Sequence, residues 1–139
     1  LVIRSGGYVL QDFGYLGAHS PLVGAGLEPA AEVWATVLSR PEPELALLGA
    51  GKRDLPFDLK LPVVIGAHHA GRPLEVGGIE VVQLDDQHCY LRLPTTSTLA
   101  PGDVVRLGGA HPCTLIDRWR RIAVLDEQNR VVDVYGTYF

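Results

Sequence analysis

Short runs of β-branched and aromatic residues alternate with clusters of Gly, Pro, Asp and Asn along most of this chain. Runs of this length and composition are typical of β-strands. Turn-forming clusters recur roughly every eight to twelve residues, which favours a mainly β fold, either a small closed β-barrel or a sandwich-like domain. The runs predict strands at 33–38, 44–48, 61–65, 79–84, 89–93, 104–107, 121–125 and 131–138.

The amino-terminal part has a different pattern. An apolar, strand-like run at 1–4 is followed by a Gly- and aromatic-rich passage as far as Gly26, which predicts a loop. Because the chain begins without Met on this run, we expect part of the fold to lie upstream. No long apolar period of 3.6 residues follows, so helix should be minor, with a turn near 22–33. The polar stretch 68–73 is expected to be an exposed loop.

Composition narrows the classes of function. The 139 residues suffice for one domain with a hydrophobic core. The 12 basic and 16 acidic residues give a net charge of −4 without long runs of either sign, which argues against nucleic acid and anionic membranes as partners. The apolar stretches are too short to span a bilayer. There are 2 cysteines, Cys89 and Cys113, and the second lies near a histidine, so we expect a reducing, cytoplasmic location.

The triplet His111-Pro112-Cys113 is the main candidate for chemistry. In an extended backbone, residues two positions apart project from the same face, so the imidazole and the thiolate would approach one ion. Nitrogen and sulfur donors suit zinc better than magnesium or calcium. Two protein ligands leave coordination positions open for a substrate. The alternative is a chance triplet with a purely structural role.

Two further groups are candidates for a site. Gly6, Gly7 and Tyr8 follow an apolar run, and glycines let backbone N–H groups approach a phosphate closely; the alternative is an ordinary strand-to-loop glycine pair. His88 follows two aspartates at a strand start, where it could assist proton transfer as a catalytic residue or orient a neighbouring group. Its alternative is a turn histidine capped by acidic neighbours. Cys89 is expected to be buried packing.

Several motifs occur together in one order along almost the whole chain. They are IRSGGY (3–8), EVWA (32–35), SRPEP (39–43), GKRD (51–54), DQH (86–88), PGD (101–103), HPCT (111–114) and VVDVYGTYF (131–139). This order resembles the carboxyl-terminal part of the D-serine dehydratase-like and D-threonine aldolase-like family of pyridoxal-phosphate enzymes, in its amino acid deaminase branch. These are fold-type III enzymes of the vitamin B6 class.

The resemblance implies a two-domain subunit in which an α/β barrel carries pyridoxal phosphate and a β-rich domain supplies metal ligands. Residues 1–30 would then be the last strand and loop of the barrel, and 31–139 the β-rich carboxyl-terminal domain. It also implies a zinc site at His111 and Cys113, and places Gly6, Gly7 and Tyr8 near the cofactor phosphate. The lysine that holds the cofactor would precede this sequence, so this chain alone should be inactive.

The function implied by the resemblance is that of a zinc-dependent deaminase for D-hydroxy amino acids. Elimination of the β-hydroxyl would yield a keto acid and ammonia, in a homodimer whose amino-terminal barrel completes the site. A D-threonine aldolase-like lyase or a racemase is the second reading, because one scaffold hosts several chemistries. A non-enzymatic β-barrel interaction module, with a structural His-Pro-Cys triplet, is the third.

Overall fold

The computed structural model describes residues 1–2, 6–14, 17, 19–21 and 25–138. In this part of the chain the fold is mainly β, as predicted from the sequence. A 3-10 helix spans Gly7–Val9, and a short α-helix, α1, spans Pro112–Ile116. The strands are β1 (Glu32–Glu42), β2 (Leu45–Leu48), β3 (Val63–His69), β4 (Arg72–Leu74), β5 (Glu80–Leu84), β6 (Cys89–Arg92), β7 (Val104–Gly108), β8 (Arg121–Leu125) and β9 (Val131–Gly136).

Seven strands form one antiparallel sheet, in the order β4-β3-β7-β1-β2-β6-β5. The sheet curls, so that β5 at one edge contacts β3 near the other. Among the described residues the edge strands β4 and β5 are not paired with each other. The domain is therefore a half-barrel whose concave side holds the core.

The core is built by strict alternation along the central strands. In β1, Val33, Ala35 and Val37 are buried while the residues between them face outward. Leu91 and Leu107, on β6 and β7, are completely buried in the same cluster. Each fully buried leucine of this kind contributes roughly 1.5–3 kcal/mol relative to an exposed one.

All eight strands predicted after residue 30 are present, with ends that differ by a few residues. The loop predicted at 68–73 is wrong, because His68 and His69 end β3 and a hairpin leads into β4. The predicted exposure is confirmed for residues 69–73. Ala70 (φ 47°) and Gly71 (φ 80°) both have positive φ, as a two-residue type I′ turn requires. The predicted strand at 1–4 and the turn near 22–33 include residues 3–4 and 22–24, which lie outside the described residues.

The last two strands form a hairpin apart from the main sheet. Every residue of β9 is exposed, including Val131, Val132 and Tyr135. Of the helices among the described residues, none combines the length and apolar character needed to cross a membrane.

Candidate functional site

The loop between β2 and β3 (residues 49–62) supports the candidate site. Leu55 is completely buried in the core, and the adjoining Pro56 packs closely on Gly109, where a Cβ would lie 2.7 Å from the proline ring. The side chains of Arg118 and Trp119 donate hydrogen bonds to the carbonyls of Leu55 and Asp54, at 3.2 and 3.0 Å. The loop is thus fixed to the end of β7 and to the segment after α1.

α1 follows β7 after a three-residue connection and begins at Pro112, because proline presets the dihedral of the first helical turn. His111 precedes the helix in an extended conformation (φ −146°, ψ 96°), and its carbonyl accepts the first helical hydrogen bond from Leu115 at 3.0 Å. Leu115 is 5% exposed and belongs to the core. The buried Pro112 and Leu115 therefore hold the short helix in place and define where His111 lies.

His111 contacts two polar side chains. Its Nδ1 lies 2.5 Å from Asp58 Oδ2, and Thr114 Oγ1 lies 2.9 Å from the same nitrogen. The Thr114 hydroxyl also donates to Asp58 Oδ2 at 3.3 Å. Because an ionised carboxylate oxygen only accepts hydrogen bonds, Nδ1 carries the proton in this contact. In a neutral imidazole the lone pair is then on Nε2, the nitrogen available to a metal.

Asp58 is negatively charged beside this histidine. Partial burial raises the pKa of Asp58, but the hydrogen bond with His111 and further contacts outweigh it and leave the pKa below its ordinary value. The side chains of His111 and Asp58 are 32% and 40% exposed, so the pair lies at the surface and is partly solvated. A ligand can therefore reach the imidazole without opening the core.

Cys113 is exposed, as a metal ligand that meets a substrate must be. The extended backbone predicted for the triplet is found only at His111, because Pro112 and Cys113 are already helical. His111 and Cys113 thus project from a strand-to-helix junction. Among the described residues, no group of three or more His, Cys, Asp or Glu side chains is arranged to hold a metal. The assignment of these two as ligands stays a prediction.

His88 lies in the turn before β6, next to the first residues of the β2–β3 loop. It is exposed, and with Leu38, Arg53 and Asp54 it lines a shallow depression of about 320 Å³. The backbone N–H groups of Lys52 and Arg53 donate to the carbonyls of Asp85 and Asp86, which fixes the loop under the His88 turn. No contact joins His88 to His111 within the described part of the chain, and its catalytic role stays a prediction.

Gly7–Val9 form the 3-10 helix, and Gly6 is exposed with open space where a Cβ would lie. The side chain of Tyr8 is outside the described residues. A few residues later the chain reaches the end of β7: the N–H of Phe13 donates to the Gly109 carbonyl at 3.2 Å. A Cβ on Gly108 would overlap the Phe13 ring. The segment after Gly6 therefore runs towards the junction that carries His111.

Asp58 and Thr114 are the two site residues that sequence reasoning missed. Asp58 lies in a loop, 53 positions from His111, and no local spacing connects them. Thr114 stands three residues after His111 and reaches it only because the chain turns into a helix. A predicted helix start at Pro112 would have indicated Thr114, whereas Asp58 required the tertiary structure.

Comparison with a family model supports the sequence interpretation. The family described as "Putative serine dehydratase domain" matches residues 30–125, more than half of the chain. This region contains the seven-stranded sheet, the β2–β3 loop and α1. The resemblance inferred from the sequence motifs is confirmed. A search of curated proteins gave no significant match.

Several solved structures share this fold. D-threonine aldolase from Filomicrobium marinum superposes with a TM-score of 0.67 at 20% identity, covering 79% of this chain and 28% of its own. D-threo-3-hydroxyaspartate dehydratase from Delftia sp. HT23 superposes with a TM-score of 0.56 at 17% identity, covering 83% of this chain and 35% of its own. An alanine racemase-like protein from Idiomarina loihiensis superposes with a TM-score of 0.59 at 17% identity, covering 76% of this chain and 30% of its own. The chain thus spans about a third of the length of these proteins.

Proposed function

Since the chain belongs to the serine dehydratase domain family, we propose that it is the β-rich, metal-binding part of a pyridoxal-phosphate-dependent lyase for D-hydroxy amino acids. The observation that carries this proposal is the junction at α1. There a histidine is held through Nδ1, its Nε2 is left for a ligand, and an exposed thiol follows two residues later.

His111 and Cys113 are the residues that would hold the metal. Imidazole and thiolate together fit zinc, and their exposure leaves room for further ligands from substrate, water or another domain. Two relatives support this pairing: one solved D-threo-3-hydroxyaspartate dehydratase is a His-to-Ala variant, and another is a Cys-to-Ala variant in a metal-free form. The two substituted positions are two residues apart, as in this chain. A zinc ion there would supply a Lewis acid for a substrate hydroxyl.

Gly6, Gly7 and Tyr8 are proposed to face the cofactor phosphate. The exposed backbone of Gly6 leaves space for an anion, and the Phe13 contact with Gly109 directs this segment towards the metal-binding junction. Pyridoxal phosphate, when bound, would supply an electron sink for the carbanion at the substrate Cα. Lys52 and Lys60 are not its attachment site in this proposal, because the family places that lysine in the barrel.

In this proposal the chain's own residues orient the substrate at its β-hydroxyl. His111 and Cys113 would do so through the metal that they hold. His88, beside Leu38 and Arg53, is the candidate for proton transfer. For D-serine the overall change is loss of water followed by hydrolysis, giving pyruvate and ammonia.

The remaining organisation is proposed from the family. Residues 1–30 belong to the end of the barrel domain and 31–139 to the carboxyl-terminal domain. The functional unit is a homodimer in the cytoplasm, and the chain alone is inactive. The lengths support the need for a further domain, because this chain covers only 28% and 35% of two of the similar structures.

The test uses the complete protein with its cofactor, assayed with D-serine and D-threonine. We expect pyruvate and ammonia from D-serine, activity that a chelator removes and zinc restores, and His111→Ala inactive with its cofactor absorbance retained. Equal activity of metal-stripped and metal-replete enzyme would overturn the metal role.

The second candidate is a D-threonine aldolase-like lyase, favoured by the structural similarity to D-threonine aldolase. Release of glycine and acetaldehyde from D-threonine, without ammonia, would establish this reaction in place of deamination. Racemisation without cleavage would indicate the racemase. A protein that binds neither zinc nor cofactor would leave the interaction module as the function.

A further inference from the structure

Asp58 is the one carboxylate that contacts the proposed metal ligand His111 in the described structure. From this contact we infer that Asp58 is a positioning residue, which keeps the proton of His111 on Nδ1 and thereby presents Nε2 to the metal. The inference rests on the proposed function, since it assigns a role towards the zinc that His111 and Cys113 would hold.

Two contacts carry the inference. Asp58 Oδ2 is 2.5 Å from Nδ1, and the Thr114 hydroxyl, 3.3 Å from the same oxygen, adds a second donor to the carboxylate. The Nδ1 side of the ring is thus fully engaged within the chain, and only Nε2 is left for an external ligand. A carboxylate behind a metal-bound histidine fixes the tautomer and ring orientation and raises the basicity of the ligand.

The fold fixes Asp58 at this place independently of any metal. The loop is held at Leu55 and Pro56, two to three residues before it, by core burial and by the contact with Gly109. Arg118 and Trp119 bind the loop carbonyls on the same side. The acceptor for Nδ1 is therefore in position before a metal arrives, so binding needs no rearrangement of the loop.

The first measurement reads the tautomer directly. In long-range ¹H–¹⁵N spectra of the metal-free protein, His111 should show Nδ1 protonated, with the signal assigned by its loss in His111→Ala. In Asp58→Ala the proton should move to Nε2, the nitrogen that free histidine prefers to protonate. An Nε2 proton on His111 in the unsubstituted protein would overturn the inference. A purely structural role for Asp58 would leave the spectrum unchanged.

The second measurement is the affinity for Zn²⁺ alone, by competition titration. Asp58→Ala should bind zinc about 10- to 100-fold more weakly, whereas Asp58→Asn, which keeps an acceptor oxygen, should recover part of the loss. The matched control is Asp117→Ala, which removes the same charge close to α1, where Asp117 pairs with Arg118 at 3.8 Å and does not contact His111. It should bind zinc as the unsubstituted protein does.

The two proposals fail in different ways. If the unsubstituted protein binds no zinc, the metal site itself is overturned, and the positioning role with it. If it binds zinc but Asp58→Ala binds equally well, only the role of Asp58 is overturned. Circular dichroism and thermal unfolding confirm that each variant is folded, and His111→Ala sets the affinity expected without the imidazole.

Discussion

Two histidine–aspartate pairs in this domain have nearly the same geometry but different surroundings. His69 Nδ1 lies 2.6 Å from Asp103, and His111 Nδ1 lies 2.5 Å from Asp58. Asp103 is 2% exposed and also accepts the N–H of Ala100 at 2.8 Å, whereas Asp58 is 40% exposed. The distance between histidine and aspartate is therefore nearly the same in both pairs. The pairs differ in how deeply the carboxylate is buried.

The difference separates a structural pair from a candidate functional pair. Asp103 joins the turn before β7 to the end of β3, and its buried carboxylate has hydrogen-bond partners within the protein. Asp58 and His111 lie at the surface, beside the exposed Cys113. We expect loss of Asp103 to affect folding and loss of Asp58 to affect ligand binding.

The largest expected contrast is between the two cysteines. Burial raises the pKa of the Cys89 thiol to about 12, and its side chain is completely buried in the core. Because the thiolate is the reactive form, three pKa units above the ordinary 9.0 correspond to roughly a 1000-fold slower reaction, before access is considered. Iodoacetamide should therefore label Cys113 and leave Cys89 unmodified, as peptide mass spectrometry can determine.

Zinc adds a second test to this labelling. Excess zinc should protect Cys113 in the unsubstituted protein and protect it less in His111→Ala. Rapid labelling of Cys89 in the folded protein would contradict the buried core described above. Labelling of Cys113 at the same rate with and without zinc would count against the metal site.

The next effect is on stability. Asp103→Ala removes a buried acceptor of two hydrogen bonds and leaves the Ala100 N–H without its partner. We expect the free energy of unfolding to fall by about 3 kcal/mol, measured by urea denaturation. Asp58→Ala should cost about 1 kcal/mol or less, because exposed ion pairs contribute little. Equal losses in the two variants would break the distinction between the pairs.

A smaller loss is expected for the histidine of the structural pair. The His69 side chain is 68% exposed, so His69→Ala removes one hydrogen bond to Asp103 and little packing. The free energy of unfolding should fall by about 1 kcal/mol, with zinc affinity unchanged. The same measurements on His111→Ala should show the reverse pattern, with stability nearly retained and zinc affinity lost.

The smallest effect concerns a third carboxylate, Glu32, which is paired with Arg106 between β1 and β7. Burial raises the pKa of Glu32, but hydrogen bonds from Arg106 and Trp34 outweigh it, so the pKa lies below the ordinary 4.5. A lowered folded-state pKa stabilises the fold above the unfolded value, and this contribution is lost as the pH falls through the folded pKa.

Glu32→Gln tests this contribution in thermal unfolding between pH 7 and pH 3. The melting temperature of the unsubstituted protein should drop more steeply below about pH 4.5 than that of the variant. Parallel curves would show that the Glu32–Arg106 pair adds nothing to stability. The Glu32–Arg106 pair would then contribute as little to stability as an exposed ion pair, in contrast to Asp103.

The sequence predicts the strands well and the site only in part. Alternation in β1 and the turn residues between strands are local signals, so the strand positions follow directly from them. The β4 hairpin was missed because its turn begins with Ala70, which rarely adopts a positive φ. The helix at Pro112 was missed because its length of five residues gives no amphipathic period.

The site depends on contacts that sequence spacing does not encode. His111 and Cys113 are recognisable as metal-binding residue types, yet only His111 has the extended backbone expected of both. Asp58 meets His111 only because Leu55 is buried in the core and Pro56 packs on Gly109, which together hold the loop there. Residue chemistry is thus readable from the sequence, whereas the arrangement that tunes it arises from the packing of the core.

The central claim is that His111 and Cys113 hold one metal ion. Equilibrium dialysis of the intact protein against zinc, followed by elemental analysis, tests it most directly. We expect about one zinc per chain, and little or none in His111→Ala and in Cys113→Ala. No bound zinc in the unsubstituted protein, or full retention of zinc when both residues are replaced, would contradict the account.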